Sequence, residues 1–302
     1  MTKLITVFGA TGNQGGSVIK AILADTVLSK EFKIRGITRD VSKPAAQALA
    51  KQGVDMAAAD LSSKPSLNDA LKGSHTVFLV TNYWETGKPE VELNQGQNVA
   101  DVSKELGVQH LIFSTLLHVT ETSGGRLKHV PHFDGKAEIE RYIRESGVPC
   151  SFFLPGYFMS NYTGQLREGD HGVVTLSYPV SSKAKFPLVD VAEDTGKFVK
   201  AIIKNRDRLL GGRVYGAAGY YTPEQILADY EEVTGKKTRY VQVSNEQYQK
   251  FLPEAVAEEM LENHLFMEDP GYYNGADLDE SLGWLEEKPV SWKEFVAKSF
   301  QQ

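Results

Sequence analysis

Cysteine occurs once in these 302 residues, at Cys150 within the apolar run Val148-Pro-Cys-Ser-Phe-Phe-Leu154. A single thiol builds no internal disulfide framework, so the chain suits a reducing compartment. Blocks of lysine or arginine are missing too. With a formal net charge of -6 and no basic cluster, the sequence has no electrostatic footprint for direct contact with DNA, RNA or an anionic membrane. No apolar stretch approaches the roughly 20 residues that span a bilayer. Met1-Thr-Lys-Leu-Ile-Thr-Val7 leads straight into a strand without the long apolar region of a signal peptide. These absences predict a cytoplasmic protein, with nuclear residence also allowed, that reaches nucleic acid only through a partner.

What is present is an ordinary globular composition, 41% hydrophobic and 24% charged, arranged in two alternating periodicities. Leu4-Ile-Thr-Val-Phe8 is a short apolar run that ends in glycine, and Gly16-Ser-Val-Ile-Lys-Ala-Ile-Leu23 repeats its apolar residues at helical spacing. Further strands are expected at Lys33–Thr38, Val54–Ala58, Thr76–Val80, His110–Ser114 and Cys150–Leu154. Helices over 44–52, 89–106 and 134–145 lie between them, opened by proline or closed by glycine as helix ends prefer. Short apolar strands alternating with helices predict an α/β fold of Rossmann type, a doubly wound parallel sheet with helices on both faces.

After Leu154 the pattern loosens. Residues 155–190, rich in Gly, Tyr, Ser and Pro, read as irregular loops on the substrate side, and 191–205 reads as a helix. Arg213–Ala217 reads as a strand, Pro223–Thr234 as a helix with Thr222 as its N-cap, and the acidic stretch Glu254–Glu262 as part of a small helical cap. The length exceeds one ordinary core. The expected division is a Rossmann domain over 1–154 and a smaller, mostly helical C-terminal region over 155–302, interleaved with the first through about 187–217.

The most informative motif is the loop Gly9-Ala-Thr-Gly-Asn-Gln-Gly15, set between a strand and a helix. The first glycine permits a tight turn, the second lets the backbone approach a pyrophosphate, and the third allows close helix–strand packing. Phosphate then sits at the helix N-terminus, where unpaired amides and the helix dipole favour negative charge. Gly9, Gly12 and Gly15 would therefore cradle a dinucleotide, with Thr11, Asn13 and Gln14 as side-chain donors. The second strand ends Gly36-Ile-Thr-Arg39, where an NAD-preferring protein carries Asp or Glu. Arg39, with Lys43 four residues on, supplies positive charge suited to a 2′-phosphate and points to NADP(H). Asp60 and Leu61, after the third strand, would flank the adenine.

Several reaction signatures are absent. None of the thirteen tyrosines has a lysine four residues later, the pair with which short-chain dehydrogenases move a proton and hold the nicotinamide ribose. Where the pair belongs, the sequence reads His132-Phe-Asp-Gly-Lys136. Lys136 is expected to anchor the ribose, and His132 is either a proton carrier or a packed loop residue. There is no Gly-x-Ser-x-Gly elbow. His129 and His132, separated by Pro131, have no third ligand nearby in sequence, so no metal site is expected. Thr81-Asn-Tyr-Trp84 follows the fourth strand, and its Thr81, Asn82 and Tyr83 would line the nicotinamide half, although the Tyr-Trp pair would equally serve to pack the following loop. Pro155, Tyr157 and Phe158, with Asn161 beyond, would close the other wall.

Together Val7-Phe-Gly-Ala-Thr-Gly-Asn-Gln-Gly-Gly16, Thr38-Arg39, Val80-Thr-Asn-Tyr-Trp-Glu85 and His132-Phe-Asp-Gly-Lys-Ala-Glu138 resemble the NmrA-like family, most closely its HSCARG-type branch. The resemblance implies the fold of atypical short-chain dehydrogenases without the active-site tyrosine, and an NADP(H)-responsive redox sensor that binds a regulatory protein partner. It also implies that Gly9 to Gly15 hold pyrophosphate, Arg39 and Lys43 the 2′-phosphate, and Lys136 the ribose. Loops 83–95, 118–131 and 155–190 are the segments expected to respond to nucleotide, and a homodimer is a fold-level analogy. Phe133-x-x-Lys136 with Gly147-Val-Pro149 is also similar to plant isoflavone-reductase-like enzymes. That similarity implies the alternative, an NADPH-dependent reductase of quinone or isoflavone type in which Lys136 transfers the proton.

Overall fold

The computed structural model describes residues 2–300, and its first strands form on the apolar runs: β1 (Lys3–Val7), β2 (Phe32–Thr38), β3 (Asp55–Ala58), β4 (Thr76–Leu79), β5 (His110–Ser114) and β6 (Cys150–Pro155). The chain continues through β7 (Tyr157–Phe158), β8 (Arg167–Glu168), β9 (Val174–Tyr178), β10 (Phe186–Val189), β11 (Arg213–Gly216), β12 (Gly219–Tyr221) and β13 (Thr238–Gln242). One parallel sheet runs in the order β3-β2-β1-β4-β5-β6-β11. Every residue of β4, β5 and β6 is buried, as a sheet covered on both faces requires.

The longer helices are α1 (Asn13–Ala24), α2 (Pro44–Lys51), α3 (Lys64–Leu71), α4 (Pro89–Glu105), α5 (Pro131–Ser146), α6 (Val191–Lys204), α7 (Pro223–Thr234), α8 (Glu254–Glu268) and α9 (Trp292–Phe300). On one face Val18, Ile19 and Ile22 of α1 and Phe198, Val199 and Ile202 of α6 pack on Ile5, Val7, Phe78 and Phe153. On the other, Leu67, Leu71, Val99, Val102, Ile139 and Ile143 pack on Val77, Leu79, Phe113 and Phe152. The helix α3 was not foreseen: Lys-Pro-Ser-Leu-Asn-Asp-Ala-Leu buries only Leu67, Ala70 and Leu71, too short a stripe to stand out, and Ser63 caps it by accepting from the Ser66 amide.

Residues 155–190 also differ from the expectation of irregular loops. They supply β7 and β10 to a small sheet ordered β12-β10-β7, and β8 and β9 to another ordered β13-β9-β8. In β9, Val174, Leu176 and Tyr178 are buried in strict alternation, but the parallel partner β13 arrives only at Thr238, so nothing nearby in sequence marks the pairing. In β10, Pro187 disguises a fully buried strand because proline removes a ladder donor. Helices α7, α8 and α9 make up much of the rest of this C-terminal part. Thr222 forms a capping box with Gln225 on α7, and the buried Trp292 of α9 donates to the Ile226 carbonyl at 2.9 Å.

Asp194 on α6 ties the C-terminal segment to the sheet. It is fully buried, accepts from the Val290 amide at 3.0 Å and pairs with Lys197 at 2.9 Å. Burial outweighs these partners and pushes its carboxyl from 3.8 up to about 6. A raised carboxyl favours the fold below its unfolded value and loses that contribution as pH rises through the folded one. The stability difference between the native chain and Asp194→Asn should therefore move against the native chain between about pH 4 and 6, by up to about 3 kcal/mol. Urea unfolding of both proteins across that window checks it, and a difference that does not vary with pH would remove the assignment.

Candidate functional site

The turn after β1 is built on a contact that only glycine allows. Gly9 has φ +62°, and a Cβ on Gly15 would lie 2.3 Å from the Gly9 carbonyl oxygen. The first turn of α1 is thereby pressed against the end of β1. Gly12 is an extended N-cap with no side-chain cap, and the first turn carries no acidic residue. The amides of that turn thus open onto a cavity of about 880 Å³ at the carboxyl edge of the sheet, where β1 lies between β2 and β4 and the strand order reverses.

The structure brings most of the expected residues into this one cavity. Gly9, Thr11, Gly12, Asn13, Gln14 and Gly15 form its floor, Arg39, Asp60 and Leu61 one end, and Thr81, Asn82, Tyr83, His132, Lys136, Pro155, Tyr157, Phe158 and Asn161 the rest. Gln14 is not free, since its Oε1 accepts from Ser114 Oγ at 2.7 Å. Lys43 is the exception. It is the exposed N-cap of α2 and lies outside the wall. The cause is local: Asp40 Oδ1 accepts from the amide and hydroxyl of Ser42 at 2.9 and 2.6 Å, and this Asx turn carries the chain away from the cleft before Pro44 starts the helix.

Charged groups along the cleft are paired with one another. Arg39, with 74% of its side chain exposed, forms an ion pair with Glu85 from the 3₁₀ turn Tyr83–Glu85. Lys136 donates to Thr81 Oγ1 at 2.9 Å, to the Thr81 carbonyl at 3.2 Å and to Glu92 of α4. Thr81 Oγ1 in turn donates to the same Glu92 oxygen at 2.6 Å. An ammonium has three hydrogens, and three acceptors take them. Glu92 is 1% exposed, so the pair is a buried pin joining α4, α5 and the end of β4.

His132 has a different partner. Its Nδ1 is bound to Glu259 of α8, whose other oxygen accepts from Tyr83 Oη at 3.4 Å. Burial and the neighbouring Glu259 push the Tyr83 phenol up to about 12, so it stays a donor. His132 sits at the centre of a ring cluster, 5.0 Å from Trp84 and 4.9 Å from Phe133 between centroids. His129 meets Glu258 and Glu262 of the same helix with ligand atoms within 4.8 Å, a proximity that sequence spacing does not show because α8 lies far along the chain.

Past Lys136 the cavity runs on to Gln165, Tyr248, Met260, Asn263, His264 and Tyr272. None of these stands out in the sequence, nor do Glu92 or Glu259, and Glu85 enters there only as the last residue of the motif Val80–Glu85. Their only sequence signal is polarity inside helices that bury one face, as in Glu92 and Glu259.

Fold and cleft together define a Rossmann-type α/β protein with its ligand cavity at the topological switch of the sheet. The model of the NmrA-like family matches residues 1–296, and the chain belongs to that family. The NmrA-like family domain-containing oxidoreductase malD of Malbranchea aurantiaca is 34% identical over 261 residues, covering 80% of this chain and 76% of malD. In fold the chain is similar to NmrA, a negative transcriptional regulator solved with NADP (TM-score 0.81, 20% identity, 99% of this chain and 95% of that one). It is also similar to the NADPH-dependent quinone oxidoreductase QOR2 of Escherichia coli, solved with NADPH (TM-score 0.79, 24% identity, 98% and 99%). Among the described residues no helix is long and apolar enough to cross a membrane.

The buried pin yields a prediction. Glu92→Ala leaves the Lys136 ammonium without its carboxylate and should cost about 3–5 kcal/mol, whereas adding Lys136→Met to that variant should recover most of the loss. Denaturant unfolding of the single and double variants gives the coupling, and simple additivity would show that the two groups do not act as a pair.

Proposed function

We propose that this chain binds NADP(H) in the cleft and is a reductase of flat, delocalised acceptors. The observation that carries the reading is the continuity of one cavity, from the glycine cradle past Lys136 into a chamber in the C-terminal part. A protein that only sensed nucleotide would have no use for that second space. The cradle fits the cofactor, because the uncapped amides of α1, with no acidic residue in its first turn, suit a diphosphate. Arg39 would take the 2′-phosphate, and Lys136 with Thr81 would border the nicotinamide ribose. NADPH, when bound, supplies a hydride.

The side chains then decide the acceptor. With its hydrogens committed to Thr81 and Glu92, Lys136 is a positioning group and has none left to give to a substrate. His132, bound through Nδ1 to Glu259, lines the cavity, and in its imidazolium form it is the chain's own group for delivering the Nε2 proton, becoming neutral imidazole as it does so. Acceptors that need little help suit this arrangement. A quinone that takes a hydride becomes a delocalised hydroquinone anion, which water protonates later, and a conjugated enone becomes an enolate that His132 protonates. The oxidoreductase name of the 34% identical malD supports the same class.

A second reading, an NADP(H)-responsive regulator acting through a protein partner, is favoured by one observation. Arg39 holds Glu85, and Tyr83 of the same turn holds Glu259 on α8, so a phosphate that draws Arg39 away loosens a turn fastened to the C-terminal part. Differential protection of 254–268 from hydrogen exchange with and without NADP⁺, in a protein that turns over nothing, would favour it.

Two outcomes are expected. Arg39→Ala should weaken NADPH by about tenfold to a hundredfold and NADH by far less, while Glu85→Ala strengthens NADPH; equal losses for both nucleotides in calorimetry would place the 2′-phosphate elsewhere. NADPH oxidation with a quinone should proceed at about 1 per second or faster, and His132→Phe should lower kcat for an enone more than for a quinone. Consumption no faster than in buffer, for quinone and enone alike, would leave the regulator reading.

A further inference from the structure

Between β7 and α8 the cavity wall changes character. Tyr157, Gln165, Tyr248, Asn263 and Tyr272 carry no charge there, and the sixth residue, His264, is 2% exposed. His264 Nδ1 lies 2.9 Å from the carbonyl of Met260 on its own helix and 3.0 Å from Tyr248 Oη. Against a carbonyl, which only accepts, Nδ1 carries the hydrogen, Tyr248 Oη stands as its second acceptor, and Nε2 is left as an acceptor. Burial holds this imidazole down at about 4, which keeps it neutral. Nε2 is buried with no hydrogen-bond partner. Beside it, Asn263 is 5% exposed and its Nδ2, a donor, is buried without a partner as well.

Most buried polar groups in folded proteins are satisfied, so an unpaired acceptor and an unpaired donor on successive residues of a cavity wall call for an explanation. Gln165 nearby is satisfied, accepting from Tyr178 Oη at 2.6 Å and donating to Tyr157 Oη at 2.8 Å, whereas Tyr162 Oη behind Tyr157 is also buried without a partner. Rings enclose His264, with Tyr178, Tyr248 and Tyr157 at centroid distances of 4.5, 5.1 and 6.0 Å. Tyr157, Tyr248 and Tyr272 line the chamber, and aromatic walls suit a ring-shaped occupant, while a wall without charge offers nothing to offset the desolvation of an ion.

We propose that this chamber is the acceptor subsite, and that it selects an uncharged, flat ring compound carrying one hydroxyl that donates to His264 Nε2 and one oxygen that accepts from Asn263 Nδ2. The role of that compound as hydride acceptor rests on the reductase reading above; its binding does not.

Calorimetry in the presence of NADP⁺, which has no hydride to give, tests binding alone. Three probes serve: the phenolic bicyclic ketone hydroxytetralone, its hydroxyl-free parent tetralone, and carboxytetralone. Hydroxytetralone should bind about tenfold more tightly than tetralone, and the carboxylate should not bind. His264→Phe should abolish the preference for the hydroxyl while tetralone binds as before. Asn263→Ala should weaken both ketones about tenfold and leave the preference intact, and this variant carries the test if replacement of His264 disturbs α8. Retained NADP⁺ binding certifies each folded variant. Equal affinity for all three probes, no binding of hydroxytetralone to the native chain, or a hydroxyl preference that survives in His264→Phe would overturn the subsite. Turnover with a quinone is measured separately, so failure of the subsite and failure of the reductase reading are told apart.

Discussion

The contact of Gly15 with the Gly9 carbonyl is the constraint on which the rest of the site depends. Because no Cβ fits there, α1 starts hard against the end of β1, and its uncapped amides open at the carboxyl edge of the sheet. The position of α1 then fixes that of α6, which lies close enough for the Gly196 amide to donate to Ser17 Oγ at 2.9 Å. From α6 the constraint passes through Asp194 to Val290 and the C-terminal segment. A local backbone requirement at the start of the chain thus propagates to its end, which is why the cleft and the C-terminal wall face one another at a defined distance.

What was legible in the sequence is what sequence neighbours decide. The runs Leu4–Phe8, Thr76–Val80 and His110–Ser114 are short, apolar and bounded by turns, and each became a strand of the central sheet within a residue of its expected place. The glycine loop was legible because spacing alone dictates its geometry, and Arg39 because it ends a strand. Lys43, only four residues further on, lies outside the cavity wall, and the Asx turn at Asp40 beside it is a side-chain decision that spacing does not express. The pairs that shape the site are non-local: Glu92 and Lys136 are 44 residues apart, and His132 and Glu259 are 127 apart. No periodicity joins them. The pairing of β9 with β13 was hidden for the same reason.

The missing tyrosine changes more than the source of a proton. In a site built on a tyrosine–lysine pair, the lysine acts on a phenol held for the substrate. Here Lys136 faces Thr81 and Glu92, and the residue in the tyrosine's place faces a carboxylate on α8. Both residues therefore spend their hydrogen bonds on cross-links between elements, and the short sequence His132-Phe-Asp-Gly-Lys136 fastens α5 to α4 on one side and to α8 on the other. A role in architecture and a role in chemistry occupy the same side chains. If the chain is the reductase proposed above, that pairing favours acceptors whose reduced form needs no fixed acid at the moment of hydride transfer.

The same pairing bears on affinity. A guanidinium that already holds Glu85 gains from a phosphate only the difference between two partners, and the exposed pair it gives up is worth about 0–1 kcal/mol, well below a charge-assisted contact with phosphate. Exchange at Arg39 is thus favourable and cheap. Exchange at Lys136 is not, because its partner Glu92 is buried and would be left without a counter-charge. On the proposed reading, nucleotide discrimination falls to the exposed end of the cleft, where partners trade easily. On the same reading the buried end keeps its internal pairs and acts through shape, and selection of an acceptor falls to the uncharged wall of the C-terminal chamber.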